Sequence, residues 1–150
     1  MKIAIGSDHA AYEAKEQVLK HLHTSAHTLL DVGTKSVESC DYPDYAAEVS
    51  RRVQANEVDR GILICGTGIG MSIAANRFTG VRAALCTSTE LAGLSREHNN
   101  ANVLCLGART QSMEDILAII DVWLTTEWAG GRHAGRLNKI EQHARGKDVK

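Results

Sequence analysis

The sequence predicts an α/β fold, a three-layer α/β/α sandwich around a five-stranded parallel sheet. Short apolar runs of strand length recur five times along 150 residues, and segments with helical period stand between them. Such alternation is the signature of parallel strands joined by helical crossovers, with both faces of the sheet covered. A third observation concerns where the polar chemistry falls. Small polar residues and glycines gather directly after the strands, at the edge where open α/β sheets bind their ligands.

Taken in order, Ile3-Ala4-Ile5 is the first buried strand and Gly6-Ser7-Asp8-His9 the loop that ends it. The helix that follows carries Tyr12, Leu19 and Leu22 near one face, leaving Glu13, Lys15, Glu16 and Lys20 for solvent. His23 and His27 at its end have the i, i+4 spacing of a metal pair, but no acidic or cysteine ligand accompanies them and a solvated surface is expected. Thr28 to Gly33 is the second strand. Thr34 to Asp41 is polar and turn-like, and a helix starting around Pro43 places Ala46, Val49 and Val53 on one face. Tyr42, ahead of the proline, is expected in an extended conformation that could aim it into a pocket or staple the helix start.

The centre of the chain reads RGILICGTGIGMSIAAN, residues 60 to 76. Ile62-Leu63-Ile64 is a third buried strand ending on Cys65, and Gly66-Thr67-Gly68-Ile69-Gly70 opens the third helix. Val81 to Cys86 is the fourth strand, and Thr87-x-x-Glu90 forms a capping box ahead of Leu91 and Leu94. That helix runs toward Arg96-Glu97-His98-Asn99-Asn100, where asparagine suits a left-handed terminus. Val103 to Gly107 is the fifth strand. Ser112-x-x-Asp115 caps a helix burying Ile116, Ile119, Ile120, Trp123 and Leu124, and a last helix from Arg132 puts Arg132 and Arg136 on one face. Residues 146–150 are expected to fray. The whole is Rossmann-like in order.

Length and composition narrow the function. At 150 residues, 43% hydrophobic, 23% charged and with one proline, the chain suits one ordinary globular domain, 1–150. A net charge of −1 gives no global signal for nucleic acid or an anionic membrane. No apolar run approaches membrane-spanning length, and the N-terminal run is too short for a signal peptide, so a cytoplasmic protein is expected. Cys40, Cys65, Cys86 and Cys105 include no C-x-x-C pair and no zinc spacing; free thiols are expected.

Spacing tests the glycine loop. A dinucleotide fingerprint needs G-x-G-x-x-G, but from Gly66 the last position is Met71 and from Gly68 it is Ile73. No Gly-Lys-Ser/Thr of a P-loop occurs. The arginine that would close a cysteine-phosphatase loop is again Met71, and a receiver domain would carry aspartate where Cys65 stands. What remains is a thiol under converging amides and a helix N-terminus, an arrangement that favours a thiolate able to act as nucleophile or as general base. Cys86 and Cys105 read as small buried residues at strand ends. Arg109, Arg132 and Arg136 offer guanidinium forks to a phosphate, so a small phosphorylated metabolite is the expected ligand.

Six motifs then match a known family. Gly6-Ser7-Asp8-His9-Ala10, Asp41-Tyr42-Pro43, Ile64 to Gly70, Ala74-Ala75-Asn76, Ser95 to Asn100 and Gly131-Arg132-His133 resemble the ribose-5-phosphate isomerase B family in order and spacing, across Lys2 to Glu141. The resemblance implies an aldose–ketose isomerase interconverting ribose 5-phosphate and ribulose 5-phosphate without metal or cofactor. It implies Cys65 as the base at C2 of the open-chain sugar, Thr67 as a hydroxyl assisting it, and His98 as the acid/base that opens the furanose. The amides of Gly66, Gly68, Ile69 and Gly70 would stabilise the enediolate. Asp8, Tyr42 and Asn99 would hold sugar hydroxyls, and His9, Arg109, Arg132 and Arg136 the phosphate. One branch of the family replaces the cysteine by a glutamate at the position of Met71, so the Cys-base branch is the one resembled. The family also implies a homodimer or tetramer, with His98, Asn99 or Arg109 reaching a neighbour's Cys65, and neither nucleic acid nor membrane as partner. Six-carbon aldose phosphates such as allose 6-phosphate or galactose 6-phosphate are the alternative substrates. A non-catalytic sugar-phosphate sensor and a thiol redox protein are further readings.

Overall fold

A computed structural model describes residues 1–146. Of the expected frayed tail only Gly146 falls among the described residues. Five strands, β1 (Lys2–Ser7), β2 (Thr28–Gly33), β3 (Arg60–Cys65), β4 (Ala83–Leu85) and β5 (Val103–Gly107), form one all-parallel sheet in the order β2-β1-β3-β5-β4. A 3-10 turn at His9–Ala11 leads into α1 (Tyr12–Leu22); the other helices are α2 (Tyr42–Gln54), α3 (Ile69–Ala75), α4 (Thr89–Glu97), α5 (Met113–Thr125) and α6 (Arg132–Ala144). The three-layer α/β/α expectation holds. No helix among the described residues is long and apolar enough to cross a membrane.

The three central strands, β1, β3 and β5, are buried because their side chains alternate between two cores. Ile3, Ile5, Ile62, Ile64, Leu104 and Leu106 pack with α1, α4 and α5, whereas Ala4, Leu63, Cys65, Val103 and Cys105 pack with α2 and α3. Each face therefore takes every second residue of runs that look uniformly apolar in sequence. The chain steps from β1 outward to β2 and then returns past β1 to β3. Ser7 and Ile64 are thus neighbours at the carboxyl edge where strand order reverses.

Several details differ from expectation. Lys15 is fully buried rather than solvated: its ammonium donates to Asp31 Oδ1 at 2.9 Å and to Glu16 Oε1 at 2.8 Å. An apolar face of Ala14, Val18 and Leu22 carries this lysine inward, and Asp31 on β2 supplies the charge that makes its burial tolerable. Burial alone would push the Asp31 carboxyl up, but bonds from Lys35, Lys15 and the Gly33 amide outweigh it and hold the group below its ordinary value. Tyr42 is the first residue of α2, and Asp41 before it takes the extended conformation at φ −93°. The α4 cap is Ser88, not Thr87; its hydroxyl accepts from the Leu91 amide at 3.2 Å. The fourth strand is shorter than Val81 to Cys86 because Arg82 turns its amide to the Asn102 side chain instead of the ladder. Ser112 caps α5 as expected, and all five apolar residues assigned to its inner face are buried.

Candidate active site

Cys65 ends β3 with 5% of its surface exposed, and its Sγ accepts the Gly68 amide at 3.1 Å. That bond requires the chain to double back within three residues. Gly68 permits it at φ +78°, where a Cβ would stand 2.9 Å from the Leu106 carbonyl carbon. Thr67 Oγ1 accepts the Ile69 amide at 3.3 Å. α3 has only seven residues, so the local amides matter more here than a long helix dipole. Gly107 lies close enough to the loop that a Cβ there would meet the Thr67 carbonyl at 2.7 Å, so β5 presses the loop onto Cys65.

Other groups converge on this carboxyl edge. A Cβ on Gly70 would lie 2.5 Å from Tyr42 Cζ and 2.9 Å from its hydroxyl, which places the phenol against the start of α3. A Cβ on Gly66 would lie 3.4 to 3.7 Å from the Arg109 side chain, whose amide also donates to the Gly66 carbonyl at 2.9 Å. Arg109 thus packs on the glycine loop of its own chain. Asp8 is 7% exposed, with its carboxylate accepting the Ala10 amide at 3.0 Å and its amide donating to the Ile64 carbonyl at 3.3 Å. His9 is fixed by the 34–41 loop, its Nδ1 standing 3.2 Å from the Cys40 amide nitrogen. Asp8, His9, Tyr42, Cys65, Gly66, Thr67, Gly68, Ile69, Gly70 and Arg109 therefore form one cluster. Met71 is fully buried among the α2–α3 core residues, a setting for a thioether and not for a charged base.

His98, Asn99, Arg132 and Arg136 are elsewhere. α4 runs antiparallel to the strands and delivers His98 to the amino edge, just before β5 begins. β5 at about 3.3 Å per residue puts roughly 15 Å between the two edges. The His98 ring stacks on His133 of α6 with centroids 4.4 Å apart and planes 15° off parallel. Arg132 and Arg136 are exposed beside it on α6. A cavity of about 550 Å³ lies at this edge, lined by Phe78, Gly80, Asn99, Leu137 and Ile140 among others. It is not at Cys65, and His98 and the α6 arginines lie away from the edge that holds Asp8, His9, Cys65 and Arg109. Burial, then the neighbouring His98, Arg132 and Arg136 charges, hold the His133 imidazole below its ordinary value, so it stays neutral more readily than a free histidine. His133 has no assigned role in the sequence motifs beyond its place in Gly131-Arg132-His133.

Chemically, the carboxyl edge offers a cysteine sulfur that accepts a backbone amide, and the amino edge offers imidazole and guanidinium groups. A family model described as Ribose/Galactose Isomerase matches residues 3–140. Ribose-5-phosphate isomerase B of Escherichia coli (strain K12) is 47% identical over 139 residues, 93% of each chain. The structure of ribose-5-phosphate isomerase B from Clostridium thermocellum matches with a TM-score of 0.96 at 48% identity, covering 97% of this chain and 99% of that one. The Mycoplasma genitalium enzyme of the same description, with bound ribulose-5-phosphate, matches with a TM-score of 0.92 at 41% identity and 96% of each chain.

Proposed function

The chain belongs to the Ribose/Galactose Isomerase family, and we propose that it interconverts ribose 5-phosphate and ribulose 5-phosphate with Cys65 as the base, in a site completed by a second copy of the chain. The observation that carries the reading is the Cys65 sulfur at the end of β3, accepting the Gly68 amide at 3.1 Å under a loop of further amides. A sulfur so placed can take the C2 proton of an open-chain aldose and return it to C1. The negative charge then moves onto the sugar oxygens, which the amides of the Gly66 to Gly70 loop would stabilise; one such donor is worth ~10²–10³-fold in rate. Thr67, two residues after Cys65 in the same loop, is the side chain that would assist the hydroxyl proton.

An aldose phosphate in its furanose form has no acidic C2 proton until the ring opens. The acid/base for that step is His98, which the fold puts at the opposite edge from Cys65. Two copies related by a two-fold axis, carboxyl edge against amino edge, bring each His98 to the partner's Cys65 and create two identical sites. Asp8 and Tyr42 of one chain and Asn99 of the other then face the sugar hydroxyls. His9 and Arg109 of one chain, with Arg132 and Arg136 of the other, grip the phosphate. A homodimer is thus the smallest active unit of this reading. The cytoplasmic location and single catalytic domain expected from the sequence belong to it too.

The test is steady-state conversion of ribose 5-phosphate by the wild type and by Cys65→Ala, with kcat/KM compared against allose 6-phosphate and galactose 6-phosphate. The expected result is a loss of at least ~10³-fold in the variant and a wild-type preference for the five-carbon sugar. Turnover retained without the sulfur would remove Cys65 as the base. A preference for a six-carbon sugar would change the substrate and leave the base in place.

A further inference from the structure

Arg96 lies in the last turn of α4, two residues before His98, and is only 5% exposed. A buried guanidinium is costly unless its donors are used. Here they are spent on the turn that follows the helix. Nη1 donates to Asn100 Oδ1 at 2.9 Å and to the Ala101 carbonyl at 2.5 Å, and Nε to the Thr126 carbonyl at 3.4 Å. The main chain closes the same turn from inside: the Asn100 amide donates to the Arg96 carbonyl at 3.1 Å, and the Ala101 amide to the Ser95 carbonyl at 3.0 Å. Asn100 sits at φ +44°, a left-handed conformation that residues with a Cβ avoid without support.

The clamp itself is anchored. The Arg96 guanidinium carbon stands 5.8 Å from the centroid of the Trp123 ring, and Trp123 is fully buried in α5. Arg60 approaches the same ring at 5.2 Å and donates to the Trp123 and Leu124 carbonyls, which ties the end of α5 to β3. Burial lowers the Arg96 pKa to about 10, with Arg60 and Arg82 lowering it too and Glu127 opposing them, so the group keeps its charge at neutral pH. The held segment contains His98 and Asn99, and it is further constrained by Arg82 Nε, which donates to the Asn100 carbonyl at 3.1 Å, and by the stacking of His98 on His133.

We propose that Arg96 is a positioning residue for ring opening: fixed on the Trp123 ring, it ties Asn100 and Ala101 and so sets the turn that presents His98 to the sugar. The inference rests on the reading of His98 as the ring-opening acid/base. Proton transfer at Cys65 does not use His98 and meets this turn only through Asn99 at a sugar hydroxyl, so the ring step should fall further than the proton step, a signature that plain loss of stability lacks. A displacement of ~1 Å in an acid/base group costs ~10²-fold in its own step.

The experiment compares Arg96→Gln, His98→Ala and the double variant, each checked for folding by circular dichroism. It measures turnover of ribose 5-phosphate and, separately, deuterium wash-in at C1 of ribulose 5-phosphate in D2O, which needs the enediolate but not the ring step. Arg96→Gln is expected to lower ribose 5-phosphate kcat/KM about 10–100-fold, to lower wash-in less than about 3-fold, and to cost less than about 3-fold more once His98 is already alanine. Equal losses in turnover and wash-in, or a full additional loss in the His98→Ala background, would overturn it. If Arg96→Gln does not fold, Asn100→Gly removes the side-chain acceptor while keeping the left-handed backbone, and the same dependence on His98 is expected. A His98→Ala variant with normal turnover would instead defeat the underlying role of His98, an outcome separable from failure of the Arg96 proposal.

Discussion

Replacing Gly68 by alanine tests whether the loop's geometry, and not its composition, makes Cys65 useful. Gly68 has φ +78°, and a Cβ there would meet Leu85 Cδ1 at 2.6 Å and the Leu106 carbonyl carbon and oxygen at 2.9 and 3.0 Å. The Leu85 methyl can rotate away, but the Leu106 atoms are backbone of β5, held in the ladder with β3, and cannot. Gly80 provides the control, because its φ is +81° and nothing lies within 4 Å of its Cβ position. Gly80→Ala therefore reports the left-handed strain alone, about 1 kcal/mol. Gly68→Ala adds crowding against backbone and should cost about 2–4 kcal/mol in total. The loop relieves the crowding by lifting, which carries the Gly68 amide away from the sulfur. A catalytic fall of about 10–100-fold in kcat/KM follows, since small displacements at reacting groups are expensive. Urea unfolding measures the first quantity and ribose 5-phosphate kinetics the second. Equal destabilisation in the two variants, or full turnover in Gly68→Ala, would refute the reasoning.

Two further predictions concern charge. Lys15→Met keeps the apolar stem but removes the donor to Asp31 and Glu16, and should destabilise by about 1.5–3 kcal/mol in urea titrations, with Asp31 still bonded to Lys35 and Gly33. Because the Asp31 pKa is lowered on folding, its contribution is present above the unfolded value and lost as pH falls through the folded one. The wild type should therefore lose stability below about pH 4, and Lys15→Met should show a shallower loss there; an unchanged slope would contradict the pairing. For His133, an NMR titration should place the midpoint below 6.5, and His98→Ala should move it upward by removing a facing charge. A midpoint that does not respond to His98 would show that the stacking seen here does not set its protonation.

The fold was legible because its strands are continuous apolar runs with helical pattern between them. β2 and β5 lie where their residues predict them, and α5 buries the face its period predicts. Lys15 was not legible, since a lysine on a helix reads as solvated until β2 is known to bring Asp31 beside it. Ser88 and Thr87 are both competent caps, and only the backbone decides between them. At the site, the carboxyl-edge residues could be gathered in advance because each follows a strand. The placement of His98 was harder: an α4 of nine residues spans about 13 Å and returns the chain to the opposite edge, a length that motif spacing does not display. Arg96 gave no local sign of its task, since its partners Asn100, Ala101, Thr126 and Trp123 are assembled from two separate segments.

The central claim is that one working site takes its sulfur from one chain and its imidazole from another. Cys65→Ala and His98→Ala are each expected to be inactive alone on ribose 5-phosphate. If equal amounts are unfolded together and refolded, half of the dimers are mixed, and each mixed dimer holds one intact site of two, so activity should return to about a quarter of wild type. Sites contained within a single chain would give no recovery at any mixing ratio, and that result would contradict the account.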